Sequence, residues 1–201
     1  MKIFKRKYTF ASVVAFCFSV YSGQICAHPD DLSVRRLEQM GIAPSGAVLV
    51  QYAAQGDLAV VTLLLEAGVS PMDPERIRKV TALHNASSQG HIHIVKYLIA
   101  RGVNIDAQDW NGVTPLIAAC TTGQIEIVKL LLKYKASVDI VPLKAPTALI
   151  AAIQAGRLDI VQVLLVAGAT PSLADSFGTT PMEAALTANQ AAIVGQLKAN
   201  Q

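Results

Sequence analysis

Three histidines and one cysteine are the side chains in this chain best suited to chemistry: His84, His91, His93 and Cys120. A histidine can act as a general base where a partner group positions it. A pair of histidines with a third Cys, Asp or Glu ligand can hold zinc. A cysteine can attack as a thiolate where a base and solvent reach it. None of the four finds the rest of its constellation. His91 and His93 are two residues apart, so they do not share a helix face, and no third ligand accompanies them at metal spacing. Cys120 occupies a position filled elsewhere by Ser87, Ile153 and Leu186, the setting of a small packing residue. The chain has no G-x-S-x-G, no phosphate-binding Walker loop and no paired-carboxylate pattern. No catalytic residue, cofactor or metal is therefore expected. The competing enzyme class is a metal-dependent hydrolase or metal carrier using His84, His91 and His93.

The elements that position these residues form a repeat. Thr81, Thr114, Thr147 and Thr180 are spaced by 33, as are Ala86, Ala119, Ala152 and Ala185. Ile94, Val95 and Leu98 each recur three more times at the same interval, ending at Ile193, Val194 and Leu197. An earlier unit is looser: Gly56 and Gly68 precede Gly90 and Gly102 by 34. Within a unit, Thr caps a first helix that can begin on Pro, as in Thr114-Pro115 and Thr180-Pro181. Small residues such as Ala118-Ala119 allow close helix approach. Gly123 and Gly156 break the chain before a second helix with one apolar face, and Gly68, Gly102 and Gly168 follow that helix as left-handed caps. Lys135 takes the last glycine's place in the third unit, which costs about 1–2 kcal/mol in a left-handed conformation. One unit cannot bury its apolar face alone, whereas stacked units share a continuous core.

Gly112-Val113-Thr114-Pro115-Leu116, Ala119, Gly123 and Ile127-Val128-Lys129-Leu130-Leu131-Leu132, with His84 and Gly90-His91 in the unit before, resemble the ankyrin repeat. The resemblance covers about residues 45–201. It implies an all-α ankyrin-repeat solenoid of about five helix-turn-helix units with β-turn fingers. It also implies that His84 bonds neighbouring turn backbone, that His91 begins a helix, and that partners are held on the concave face.

The N-terminus reads as a leader. Lys2, Lys5, Arg6 and Lys7 precede the apolar run Phe10–Val20, and Ala27 is a small residue before a cut at His28. This is the pattern of a secretory signal peptide over 1–27, with a core too short to span a membrane stably. Four of the 17 basic residues lie in it and none of the 14 acidic ones. The remaining thirteen basic against fourteen acidic residues give a balance of −1, which removes a basic field for nucleic acid. Cys17 and Cys26 leave with the leader, so no intrachain disulfide is expected. The short basic cluster Arg76, Arg78, Lys79 lies beside Asp73 and Glu75 and reads as a solvated turn.

The expected organisation is a lead-in or N-terminal cap over 28–44 and an ankyrin domain over 45–201. Its repeats are about 45–75, 76–108, 109–141, 142–174 and 175–201. The lead-in holds a short amphipathic helix ended by Gly41. The segment 70–80 should form a longer, irregular finger, with Lys79 where other units carry glycine. Gln196 and Lys198 replace apolar residues in the last helix, the polar face of a terminal cap, so the stack is expected to end there.

Positions free of stacking demands are the candidate partner-binding residues: Arg78, Trp110, Asn111, Lys144 and Phe177 on the turn tips, and Gln89 and Thr121 on the first helices. Thr122, Gln154 and Thr187 lie beside the latter. The expected function is a non-enzymatic protein-interaction module exported to the periplasm, acting as a monomer without nucleic acid. The alternative in the same class is a secreted, host-directed ankyrin protein.

Overall fold

The structure, a computed structural model, describes residues 31–199. The expected leader, 1–27, lies outside them. Eleven α-helices occur among the described residues and no strand. α1 (Asp31–Gln39) precedes five helix pairs: α2 (Gly46–Gln55) with α3 (Leu58–Glu66), α4 (Ala82–Gln89) with α5 (Ile92–Ala100), α6 (Pro115–Thr122) with α7 (Ile125–Lys133), α8 (Ala148–Gln154) with α9 (Leu158–Val166), and α10 (Pro181–Thr187) with α11 (Ala191–Ala199). The first helices α2, α4, α6, α8 and α10 stack on one another as an inner row. The second helices stack as an outer row, which α1 extends by packing on α3.

Local chemistry sets each helix boundary. Ser45, Thr114, Thr147 and Thr180 have extended backbone, and each side-chain oxygen accepts the N–H three residues on. Such caps are worth about 1 kcal/mol each. Pro115 and Pro181 stand at the first helical turn, where their missing N–H has no helical partner to lose. Between paired helices the chain turns through a left-handed residue at Gly56, Gly90, Gly123, Gly156 and Asn189. Asn189 tolerates that region better than most residues because its short amide can bond locally. After the second helices the left-handed residues are Gly68, Gly102, Lys135 and Gly168, and Lys135 has φ +66° as expected.

The core follows the repeat columns. Ala86, Ala119, Ala152 and Ala185 have no exposed surface, nor do Leu98, Leu131, Leu164 and Leu197. Alanine in the first column lets inner helices approach closely; leucine in the second fills the space between rows. Leu37 of α1 is likewise fully buried. The last described unit is less polar than its sequence suggests. Leu186 is 61% exposed although Ser87, Cys120 and Ile153 in its column are fully buried, because no further inner helix lies beyond α10 among the described residues.

Candidate interaction surface

Two polar systems hold neighbouring units in register. The first runs along the starts of the outer helices. His91 Nε2 lies 3.0 Å from the Ala54 carbonyl, Gln124 Nε2 donates to Ser88 O at 3.3 Å, and Arg157 Nη1 donates to Gly123 O at 2.6 Å. Each side chain reaches back across the glycine of the preceding unit. A Cβ on Gly56 would stand 2.6 Å from the His91 ring, one on Gly90 2.6 Å from Gln124 Oε1, and one on Gly123 would meet the Arg157 guanidinium. These glycines therefore supply both the left-handed turn and the space for the next unit's side chain. The second system lies in the loops that follow the outer helices. Asp106 accepts from Ser137 N and Oγ, and Asp139 accepts from Thr170 N and Oγ1.

His84 belongs to the scaffold as well. Its Nδ1 accepts the Thr81 N–H at 3.2 Å and lies 2.9 Å from Thr81 Oγ1, while Nε2 lies 2.9 Å from Val113 O. A backbone N–H on one nitrogen and a carbonyl on the other select the neutral Nε2–H tautomer. Burial holds the imidazole pKa below its ordinary value, against a smaller raising effect of the Val113 carbonyl. This is the turn-backbone role implied by the family resemblance, and it leaves neither nitrogen free for a substrate. His93 is exposed on α5, away from such partners. Cys120 is buried without exposed surface, and desolvation pushes its thiol strongly upward, so thiolate formation is suppressed. Among the described residues, no group of three or more His, Cys, Asp or Glu is placed to hold a metal ion.

The fingers are closed by carboxylates, a role the sequence reading did not assign. Asp109 Oδ1 accepts from Asn111 N and Val113 N, both at 2.9 Å, and Asp175 Oδ1 accepts from Phe177 N and Thr179 N. The first finger is one residue longer. Glu75 N bonds Val80 O, whereas Asp109 N bonds Val113 O and Asp175 N bonds Thr179 O. Glu75 accepts from Ile77 N and Arg78 N at 2.9 and 2.8 Å, two and three residues on, where Asp109 accepts from two and four residues on. The backbone bonds to Glu75, Arg78 first, hold its pKa below the usual carboxylate range. The finger is thus longer, as expected, yet ordered. Lys79 itself takes the left-handed position, φ +56°, that Gly112 and Gly178 fill in the second and last fingers. The finger of the fourth unit has Pro142 in the Asp column and Ala145 in the Gly column. Ala145 is not left-handed, and Pro146 after it favours extended backbone there.

The tips lie edge to edge. Trp110 N donates to Arg78 O at 3.0 Å, and Lys144 N donates to Asn111 O at 2.9 Å. Four of the five tip residues chosen from sequence are exposed; Asn111 is half-buried. Trp110 is 61% exposed and Phe177 69%. Two further apolar side chains were missed: Ile77, 82% exposed, and Leu143, 70% exposed. Their spacing matches, because Ile77 and Leu143 lie 33 residues on either side of Trp110, but spacing does not by itself show exposure. On the inner row Gln89, Thr121, Thr122, Gln154 and Thr187 are exposed. The hydroxyls of Thr121, Thr122 and Thr187 donate to the carbonyls of Ile117, Ala118 and Glu183. They therefore offer a partner methyl groups and acceptor oxygens rather than free donors. Two clefts flank the first finger. One of about 820 Å³ lies against the start of α2, with Ser45, Gly46, Arg76, Ile77 and Lys79 in its wall. The other, about 400 Å³, is lined by Val50, Ile77, Arg78 and Asn85.

Comparison with known proteins agrees with this architecture. A family model of three ankyrin-repeat copies matches residues 49–142, and a single ankyrin-repeat model matches 147–176. A curated relative, palmitoyltransferase AKR1 of Naumovozyma castellii, is 38% identical over 68 residues, which is 32% of this chain and 9% of that protein. The chain thus spans under a tenth of that relative's length, and the match lies within the repeats, so it transfers no enzyme activity. With matched repeats over most of its length and a stack of paired helices bearing hydrogen-bonded fingers, the chain belongs to the ankyrin-repeat family, whose repeats are generally non-catalytic protein–protein interaction modules.

Proposed function

We propose that this chain is an exported binding module that acts in the periplasm as a monomer and holds a partner protein through its finger tips and inner helices. The observation that carries this reading is the set of large apolar side chains exposed on adjacent, backbone-tied fingers, Trp110 foremost. Tryptophan and arginine are among the residue types enriched at the anchoring positions of interfaces. Anchors on a rigid scaffold lose little conformational freedom on binding. The basic leader with its apolar run supports export.

Cross-linking in intact cells, followed by affinity recovery, tests the binding. The wild-type chain should recover a discrete partner, and Trp110→Ala with Phe177→Ala should lose it. Undiminished recovery by the double variant would remove these fingers as the site. Fractionation tests the compartment. Release with the periplasmic fraction is expected, and accumulation in culture supernatant without lysis would favour the secreted alternative.

A further inference from the structure

From the chemistry of the finger tips, we infer that the partner presents an extended, acidic segment with apolar side chains at every third residue, laid across the first three fingers. This inference rests on the proposed role of the fingers as the binding surface.

Ile77, Trp110 and Leu143 stand at tip positions one repeat apart, all largely exposed. Packed helices are separated by about 8–10 Å, so successive tips stand roughly that far apart. An extended polyproline II segment advances about 3.1 Å per residue with three residues per turn, so every third side chain faces the same way and meets the next finger. Ile77 also lines both clefts beside the first finger, which gives the first apolar side chain room to enter.

The charge argument rests on which groups remain available. The fingers carry carboxylates as well as cations, but Glu75, Asp109 and Asp175 each accept two backbone N–H bonds within their own turns. Asp106 and Asp139 are bonded to Ser137 and Thr170 of the following units. By contrast Arg76, Arg78, Lys79 and Lys144 are exposed and form no ion pair among the described residues. Asp73 is the exposed carboxylate without such a backbone role in the wall of the larger cleft. The hydrogen-bonded carboxylates keep their charge, and Glu75 acts on Arg78. But Glu75, Asp106 and Asp109 are half-buried and Asp175 is buried with their oxygens engaged, so the exposed groups that a ligand meets directly are mainly the cations. Lys79 adds a second indication. It holds a left-handed position filled by glycine in the second and last fingers, so its charge is retained on a backbone that glycine would relax.

The test is selection of random displayed peptides of about twelve residues on the purified full chain, long enough to cross three tips. Peptides rich in Asp and Glu with apolar residues three apart should be enriched. Their affinity should fall at least ~10-fold in Arg76→Glu/Arg78→Glu and weaken with added salt. Lys198→Glu, on the last helix, should leave it unchanged. Lys79→Gly should weaken the same peptides while raising the thermal midpoint, which separates lost charge from lost fold. Enrichment of neutral or basic peptides that still depend on Trp110 would overturn the acidic partner and leave the fingers as the binding surface. No enrichment, or peptides indifferent to Ile77→Ser/Trp110→Ala/Leu143→Ser, would overturn both.

Discussion

The alanine column Ala86–Ala119–Ala152–Ala185 and the tip positions Ile77, Trp110 and Leu143 share one spacing and are opposite in nearly every other respect. The first is invariant in type and has no exposed surface; the second differs at each position and lies largely in solvent. The difference separates two kinds of constraint. A residue touching the units before and after it must suit both neighbours, so stacking repeats it. A residue at a tip touches solvent or a partner, so its type is free to serve recognition. The largest apolar side chains at the tips are therefore the informative ones, and the clearest motif is mostly scaffold.

That separation can be broken most forcefully from the core side. Leu131→Ala should cost about 2–5 kcal/mol, because a fully buried leucine leaves a cavity that a rigid stack only partly closes. Urea denaturation should show the loss, while the fraction still folded binds the partner with wild-type affinity. If binding by the folded fraction also fell, core and tip would not be independent. Asp109→Ala comes next, at about 1–3 kcal/mol, since it strands two backbone donors under the Trp110 finger. Amide exchange at Asn111 and Val113 should accelerate, and this variant should impair both stability and binding.

A pH test isolates His84. Its folded-state pKa lies below the ordinary 6.5, so its stabilising effect is complete above about pH 6.5. That effect is lost as pH falls through the folded value, where the unfolded chain binds the extra proton first. The thermal midpoint should therefore drop between neutral and mildly acid solution. His84→Ile, which copies Ile117 and Ile150 in the same column, should flatten that part of the profile. A slope unchanged by the substitution would place the acid sensitivity elsewhere.

Lys135→Gly has a smaller effect of opposite sign. Relief of a left-handed lysine should stabilise by about 1 kcal/mol and raise the midpoint by roughly 2–4 °C. Gly68, Gly102 and Gly168 already hold that position in other units. Smallest in stability is Trp110→Ala, within about 0.5 kcal/mol of wild type for an exposed side chain.

The sequence made the helix pairs legible because a 33-residue period leaves few ways to place them. It exposed the strained Lys135 because the glycine column defined what was missing. The ladder of His91, Gln124 and Arg157 was hidden because those side chains share a task, not a type: each reaches a carbonyl of the unit before. Glu75 was hidden for a related reason. It closes a turn one residue longer than that closed by Asp109, so the insertion shifts it out of register. Ile77 and Leu143 lay at the right interval, but interval alone does not reveal exposure.

The most direct measurement compares Ile77→Ser/Trp110→Ala/Leu143→Ser with the wild-type chain, reading thermal midpoint and affinity for the cross-linked partner on the same preparations. Recognition by the tips predicts at least a ~10-fold loss of affinity, with the midpoint held within a few degrees. Wild-type affinity in the triple variant, or a fall in midpoint as large as that of Leu131→Ala, would contradict it.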